Sequence, residues 1–237
     1  MREDICTIPI NEIFGPKEGC PICRMRDMLE ERLTRYITGA AMMEPDVRIE
    51  TNRLGFCKDH FNGILSVGHR LSLALILESH LHEVEEKVLF SKNDKMAEKK
   101  IASAIRDFEK TCFICEQIDK NIEHLMDSTM NMWTNEEEFR QLYEEQPYVC
   151  LSHCATLLDA SGRVPKKYRK DFVSVTKKLS SKYLDVLQSD TTHFCRMFDY
   201  RNADGDWGNS KDAIERSMQY LTSRVPRNDG KADEKNR

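Results

Sequence analysis

The chain has 237 residues, of which 32% are charged and 40% hydrophobic, and its net charge is −4. An acidic chain has no general attraction for nucleic acid or anionic lipid, and the most apolar stretch, Leu71 to Leu77, is far too short to cross a bilayer. Ten glycines and seven prolines leave little material for the tight turns of a sheet protein. We therefore expect an all-α, mostly helical fold.

The N-terminal sequence, MREDICTIPINEIFG, has acids beside its lone arginine and no apolar region typical of a secretion signal. We therefore expect a cytoplasmic protein. Residues 1–19 predict an irregular lead-in, in which Ile5, Ile8, Ile10 and Ile13 could pack on a core. In a reducing compartment, nine cysteines are better explained as metal ligands than as disulfides, and the odd count agrees.

Apolar residues recur at helical steps from Cys23 to about Met43, where Glu44-Pro45-Asp46 ends the predicted helix. A short irregular piece leads to Cys57. The next predicted helix has a stripe that includes Leu71, Ala74, Leu77 and Leu81, and the polar residues 91–100 form a linker.

The second half repeats this plan and ends in a long predicted helix from about Tyr168 to Val186. Residues 193–208 predict a structured loop. A last helix begins near Asn209, with Ile214, Met218 and Leu221 on its buried face, and the charged tail from Val225 predicts disorder.

Two stretches carry the same pattern of cysteine and histidine. Cys20-Pro-Ile-Cys23 precedes Cys57-Lys-Asp-His60, and Cys112-Phe-Ile-Cys115 precedes Cys150-Leu-Ser-His153, with gaps of 33 and 34 residues. These spacings predict an internal repeat with two closed, structural Cys3His zinc sites. The eight predicted ligands are Cys20, Cys23, Cys57, His60, Cys112, Cys115, Cys150 and His153.

Duplication favours pairing the ligands sequentially, so that Cys20 and Cys23 share an ion with Cys57 and His60. A cross-braced pairing with Cys150 and His153 is formally possible. The alternative without metal binding is that the cysteines are ordinary buried residues. An iron–sulfur cluster is the main rival to zinc, since histidine can replace a cysteine ligand there.

The repeat predicts four segments along the chain. Residues 1–92 form the first zinc-knuckle helical repeat and residues 101–190 form the second. Residues 191–224 form a C-terminal loop and helix, and residues 225–237 form a disordered tail. A metal cross-link in each repeat would increase stability, because each half of the chain is small and buries only a limited core.

Outside the metal ligands, a basic stretch at 163–183 has eight Lys and Arg against one Asp. Lys166, Lys167, Arg169 and Lys170 are its candidate nucleic-acid contacts, and a solvated helix face is the plainer interpretation.

A loop rich in charges and aromatic residues contains Asp199, Arg201, Asp204 and Trp207. It could recognise a ligand or partner, or it could be an internal salt-bridge lock. Two further candidates are Cys154 and Cys195, either of which could be a reactive thiol. Four histidines have no partner at ligand spacing, and we expect them at surface or edge positions: His69, His80, His82 and His124.

The CPIC and GFCKDH motifs, their second copy and the segment FDYRNADGDWGNSKDA together resemble an uncharacterised bacterial family of unknown function, found mainly in Firmicutes. The resemblance extends to about Leu221. It implies a small cytoplasmic protein without an established activity.

No nucleophile-elbow, phosphate-loop or zincin motif is present in the sequence. We therefore expect a non-catalytic, zinc-stabilised helical binding or adaptor protein whose partner is another protein. The alternatives are a nucleic-acid-binding regulator that uses helix 163–183 and a thiol- or metal-responsive redox protein.

Overall fold

The computed structural model describes residues 7–89, 98–202 and 205–224, and all regular structure in these ranges is helical. The predicted all-α fold class is confirmed. The α-helices in these ranges are α1 (Ile8–Phe14), α2 (Pro21–Thr38), α3 (Pro45–Leu54), α4 (Lys58–Ser66), α5 (Arg70–Val84), α6 (Glu98–Phe108), α7 (Phe113–Asn135), α8 (Glu137–Glu144), α9 (Leu151–Ala160), α10 (Lys166–Met197) and α11 (Ala213–Thr222). Among them, no helix combines the length and the apolar character that a membrane span requires.

The chain divides into two compact units. The middle unit consists of the described residues of Arg26–Glu123, and the terminal unit consists of those of Met1–Met25 and His124–Arg237. Both boundaries fall inside helices, α2 and α7. The four predicted segments and the tandem repeat stay predictions, and residues 90–97 and 225–237 lie outside the described residues.

Two segments predicted to be irregular are helical. The lead-in contains α1, with Pro9 in its first turn, and the piece before Cys57 is α3, with Pro45 in its first turn. Proline is well tolerated there because the first backbone N–H groups of a helix have no intrahelical acceptor. Pro45 therefore begins a helix rather than ending one. Ile10 and Ile13 are buried, as expected, whereas Ile8 is 44% exposed. Ile5 lies outside the described residues.

In the middle unit, α5 packs on α3 and α4. The core of this unit contains Ile37, Leu54, Phe56, Ile64, Leu73, Ile76, Cys112, Phe113, Ile114 and Ile118, and Cys57 and Cys115 lie partly buried against it. Three predicted metal ligands therefore belong to this core or its edge.

The predicted apolar stripe of α5 is only partly buried, since Leu77 packs against the core but other members do not. Leu71 is 73% exposed and Leu81 is 63% exposed, whereas Ser72, Leu73, Ile76 and His80 are buried. The polar members of the buried face are satisfied, since Ser72 Oγ donates to the Thr38 carbonyl at 2.9 Å. Apolar periodicity predicted only part of the buried face because hydrogen bonds between distant residues place polar side chains inside.

His80 corrects the prediction that the isolated histidines lie on the surface. Its imidazole is buried and stacks on Phe108 with ring centroids 5.3 Å apart, and Nδ1 lies 2.8 Å from the carbonyl oxygen of Asn52. His69, His82 and His124 are exposed, as expected.

The terminal unit has an aromatic core. The Phe172 ring lies 5.3 Å from Trp133 and 5.5 Å from Tyr143, and Phe14 lies 5.1 Å from Phe139. All five side chains are almost completely buried. Edge-to-face contacts of this kind add to the free energy that burial alone provides.

Replacing Phe172 by alanine is expected to lower the free energy of unfolding by about 3–5 kcal/mol, because it leaves a cavity among three packed rings. Urea denaturation of the purified protein measures this loss. The control is Tyr200→Ala, since Tyr200 is 87% exposed, and the control should change the stability by less than about 0.5 kcal/mol. Equal losses in both variants would contradict the assignment of Phe172 to the core.

Helices α10 and α11 differ from the prediction in their bounds, and α11 also differs in which of its residues are buried. Helix α10 runs to Met197 and so includes the start of the predicted loop, while α11 begins at Ala213 with Asp212 as its N-cap residue. Ile214, Met218 and Leu221 are exposed rather than buried. The buried residues of α11 are Ala213 and Tyr220.

Candidate metal centres

The eight predicted metal ligands form two clusters, but the pairing is crosswise. The terminal centre consists of Cys20, Cys23, Cys150 and His153. The middle centre consists of Cys57, His60, Cys112 and Cys115, and within each centre the ligand atoms lie within 4.8 Å of one another. The sequential pairing favoured by duplication is therefore wrong, and the cross-braced alternative is correct.

Each ligand pair occupies the same position at a helix start. Cys20, Cys57, Cys112 and Cys150 immediately precede α2, α4, α7 and α9, and the second ligand of each pair is the third residue of that helix. Cys57 and Cys150 adopt nearly the same extended conformation, with φ/ψ of −71°/165° and −69°/163°. The x2 spacing thus places both ligands of a pair beside one helix N-terminus.

This placement favours thiolates. The first N–H groups of a helix have no intrahelical acceptor, and the helix dipole places partial positive charge at the N-terminus. Cysteine at such a position has a stronger tendency to ionise. Two helix N-termini meet at each centre, and the ionised sulfur is the form that binds a metal.

In the middle centre, backbone contacts explain why Cys57 meets Cys112. The Phe113 N–H donates to the carbonyl oxygen of Gly55 at 2.9 Å, and Thr111 Oγ1 donates to that of Leu54 at 2.6 Å. These bonds join the segments that precede the two helices. They bring the ligand pairs together across 52 or more residues of sequence.

Gly55 has a conformation that other residues rarely adopt, with φ at 59°. A Cβ atom on this residue would lie 2.6 Å from Nε2 of the buried His80. Glycine therefore permits both the backbone turn before Cys57 and the close approach of the imidazole.

Replacing Gly55 by alanine is expected to cost about 2–4 kcal/mol of stability, because backbone strain and overpacking both contribute. It should also weaken metal binding at the middle centre, and equilibrium unfolding together with zinc content measures both effects. The control is Gly63→Ala in α4, where an added Cβ has open space and should be neutral or stabilise by about 0.5–1 kcal/mol. A Gly55→Ala protein as stable as the control would contradict this role.

In the terminal centre, Nδ1 of His153 faces all three sulfurs. It lies 3.1 Å from Cys150 Sγ, 3.3 Å from Cys23 Sγ and 3.6 Å from Cys20 Sγ. The sulfurs of Cys23 and Cys150 are 3.8 Å apart. The three cysteines are buried, and His153 is partly buried.

The middle centre repeats this geometry. Nδ1 of His60 lies 3.2 Å from Cys57 Sγ, 3.2 Å from Cys112 Sγ and 3.4 Å from Cys115 Sγ. The sulfurs of Cys57 and Cys115 are 4.0 Å apart. Here His60 and Cys112 are buried, whereas Cys57 and Cys115 are only partly buried.

These distances suit one tetrahedral ion. Zinc bonds of about 2.3 Å to sulfur and about 2.0–2.1 Å to nitrogen imply sulfur–sulfur separations of about 3.8 Å and sulfur–nitrogen separations of about 3.6 Å. The observed values are 3.8–4.0 Å and 3.1–3.6 Å. The donor set and the spacing therefore both fit a single zinc ion at each centre.

The close approach of four ionisable groups perturbs their pKa values. Burial opposes a charged His153, but hydrogen bonds with Cys150 and Cys20 outweigh it and raise the pKa of His153 to about 9. Hydrogen bonds from Cys20 and Cys23 lower the pKa of Cys150. In the middle centre, burial raises the pKa of Cys115. A divalent cation would replace the protons that these groups share and would compensate their negative charge.

Two residues contact the ligands from outside. Nε2 of His60 lies 3.5 Å from a carboxylate oxygen of Glu30, and Oγ of Ser223 lies 3.1 Å from Cys150 Sγ. A carboxylate at the far nitrogen of an imidazole orients the ring, here with Nδ1 toward the sulfurs. Sequence reasoning missed Glu30 and Ser223, because neither stands at a fixed spacing from a ligand.

The predicted charged loop is held by contacts within itself. Both carboxylate oxygens of Asp199 accept hydrogen bonds from the Arg201 guanidinium, at 2.5–3.1 Å. Trp207 packs on Phe194 and Phe198, with centroids 5.5 and 5.8 Å away. These contacts favour the internal-lock interpretation, and Asp204 lies outside the described residues.

The basic stretch lies mainly on α10. Lys166, Lys167 and Lys170 are exposed there. Arg169 is partly buried, and its guanidinium donates to the carbonyl oxygens of Gly162 and Val164. Arg169 therefore has a local structural role, and the three lysines stay the candidate contacts.

The cysteines outside the two centres differ in accessibility. Cys154 is buried, and burial raises its pKa. Cys195 is exposed on α10 beside an apolar groove, so it is the better candidate for a reactive thiol. All the cysteines in the described part of the chain are free of disulfides.

Residues 1–228 match the model of a protein family described as a family of unknown function, DUF6062. Neither the comparison with curated proteins nor that with solved structures finds a match.

Proposed function

The chain belongs to the DUF6062 family of unknown function, and we propose that it is a non-catalytic, zinc-stabilised helical protein that binds another protein. The observation that carries this proposal is the pair of closed Cys3His clusters, in which the ligand atoms converge within 4.8 Å. Four protein ligands leave a tetrahedral ion no open position for substrate or water. The ions would therefore hold the fold together.

Zinc is favoured over an iron–sulfur cluster by the same convergence. A cluster distributes its protein ligands over several irons, whereas the four ligand atoms of each centre surround one point. The set of three thiolates and one imidazole is common in structural zinc sites.

A binding role is supported by aromatic side chains on the surface of the terminal unit. Phe198 is 72% exposed and Tyr200 is 87% exposed. Aromatic residues are enriched at protein interfaces because they bury a large area with few rotatable bonds. We propose that these two residues contribute to the partner surface.

Native mass spectrometry and elemental analysis of the purified protein are expected to give two zinc ions per chain. A photo-cross-linking residue at Tyr200 should capture a defined protein in cells, whereas the same residue at the exposed Ser66 should not. Phe198→Asp should abolish the capture and leave two zinc ions bound. A specific turnover by the purified protein that Arg201→Ala abolishes would overturn the non-catalytic assignment.

Nucleic-acid binding is the second candidate, and the exposure of Lys166, Lys167 and Lys170 favours it. Fluorescence polarisation with labelled duplex DNA and with single-stranded RNA tests it at several salt concentrations. Each lysine replaced by glutamate should lower affinity and reduce the logarithmic salt slope by about 0.7–0.9. Absence of binding at low salt would exclude this candidate.

A further inference from the structure

Polar contacts contribute to the docking of helix α11 on the terminal unit. Its apolar residues Ile214, Met218 and Leu221 are about half exposed, and its buried residues are Ala213 and Tyr220. A helix of ten residues is marginal in isolation, so α11 depends on its contacts with neighbouring elements.

Hydrogen bonds and one ion pair supply these contacts along the length of the helix. They join Arg216 to Asp190 at 2.9 Å, Ser217 to Thr191 at 3.2 Å and Tyr220 to Ser180 at 2.8 Å. All three partners lie on α10. The C-terminal end of α11 has a different anchor.

That anchor is Ser223, the residue that follows α11. It is buried, its φ is +59°, and its N–H donates to the carbonyl oxygen of Gln219 at 2.8 Å. Serine is disfavoured in this left-handed conformation, where glycine is the usual residue. The conformation places Oγ 3.1 Å from Cys150 Sγ and the carbonyl oxygen 3.8 Å from Cys23 Sγ.

The contact to Cys150 depends on whether an ion holds the sulfur in place, 3.1 Å from the Ser223 hydroxyl. When a metal is bound, Cys150 is a thiolate and accepts a hydrogen bond from the Ser223 hydroxyl. A hydrogen bond to an ionised acceptor is roughly twice as strong as one between neutral groups. When the metal leaves, no ion holds the Cys150 sulfur in place, and the contact with Ser223 is weakened.

We propose that Ser223 links occupancy of the terminal centre to the docking of α11. Through this link the bound metal secures the helix and the helix slows loss of the metal. The inference rests on the proposed zinc binding and assigns Ser223 as a positioning residue that acts on the ligand Cys150. Removal of the metal would release the C-terminal end of α11 and open the apolar groove between α10 and α11, which Leu184, Leu187 and Tyr220 help to line.

The test compares zinc release from the native protein and from Ser223→Ala, using a chromophoric chelator. The middle centre is an internal control, since Ser223 does not belong to its unit. We expect zinc release from the terminal centre to become about 10-fold faster, because hydrogen bonds to metal ligands affect metal affinity by this order of magnitude. Release from the middle centre should stay unchanged. Thr222→Ala is the matched control, because the exposed Thr222 hydroxyl donates to the Met218 carbonyl of its own helix.

Two further measurements separate the hydroxyl from the backbone. Ser223→Gly relieves the strain of the left-handed conformation, so faster release in both Ser223 variants identifies the hydroxyl as the cause. In the cobalt-substituted protein, loss of the hydrogen bond should shift a sulfur-to-metal charge-transfer band to lower energy. Amide hydrogen exchange in α11 should be faster in two-zinc Ser223→Ala than in the native protein, while exchange in the middle of α10 stays unchanged.

Unchanged release from a two-zinc Ser223→Ala protein would overturn the inference while leaving the proposed function intact. Acceleration of release from both centres would also overturn it, since that result indicates a general loss of stability. A native protein without bound zinc would instead refute the proposed function, so the two failures are distinguishable.

Discussion

Replacing Cys20 and Cys150 together by serine is expected to remove one zinc ion per chain and leave the other in place. Replacing Cys20 and Cys57 together is expected to remove both. The reason is that Cys20 and Cys150 belong to the same centre, whereas Cys20 and Cys57 belong to different centres. The sequential pairing gives the opposite outcome for both variants, so native mass spectrometry of the two proteins decides between the pairings.

Alkylation of single variants provides a second measurement when a double variant is poorly folded. In Cys20→Ser, the residues that lose protection from a thiol reagent should be Cys23 and Cys150, with Cys57 still protected. Cys154→Ser is the control, because Cys154 lies beside His153 in sequence but is not a ligand; it should retain two zinc ions. Loss of protection at Cys57 rather than Cys150 would contradict the crosswise centres.

The residues that converge in the two clusters could be predicted from sequence, but their pairing could not. Spacing identifies Cys20-x2-Cys23 and Cys150-x2-His153 as ligand pairs because two residues beside one helix N-terminus reach the same ion. Spacing does not specify which helix starts meet. In the middle unit that choice depends on contacts such as the hydrogen bond from Phe113 to Gly55, which link segments far apart in sequence.

The fold class was predictable for a similar reason, and the buried faces of some helices were not. Composition and periodicity indicate helices, whereas the facing of α5 depends on partners for Ser72 and His80. These partners, Thr38 and Asn52, lie 28 or more residues away. A polar side chain with a distant partner inside the fold is invisible to an apolar pattern.

The entropic cost of closing the loop between ligands differs little between the two centres. The terminal centre joins Cys23 to Cys150 across 127 positions, and the middle centre joins Cys57 to Cys115 across 58. A doubling of loop length changes the closure cost by only about 0.6 kcal/mol. The two centres differ more clearly in the burial of their cysteines. All three cysteines of the terminal centre are buried, whereas two of the middle centre are only partly buried.

Chelation of both ions is expected to unfold most of the protein reversibly. Apparent binding free energies of structural zinc, about 10–16 kcal/mol per ion, are as large as the net stability of a typical domain, about 5–15 kcal/mol. Circular dichroism at 222 nm during titration with a strong chelator measures the loss of helix. Zinc should restore the signal, and the zinc-saturated chelator is the control.

The same titration should show an order of release. Since Cys57 and Cys115 are the more accessible ligands, they should be alkylated before Cys20, Cys23 and Cys150, and the first zinc equivalent should leave from the middle centre. The melting temperature should fall by at least about 10 °C when the first ion leaves, because a loss of about 5 kcal/mol shifts the melting temperature of a protein of this size by roughly 2–4 °C per kcal/mol. The helical signal should be lost when the second ion leaves. A chain that keeps its helical signal and melting temperature with less than about half an equivalent of zinc would show that the centres do not stabilise the fold.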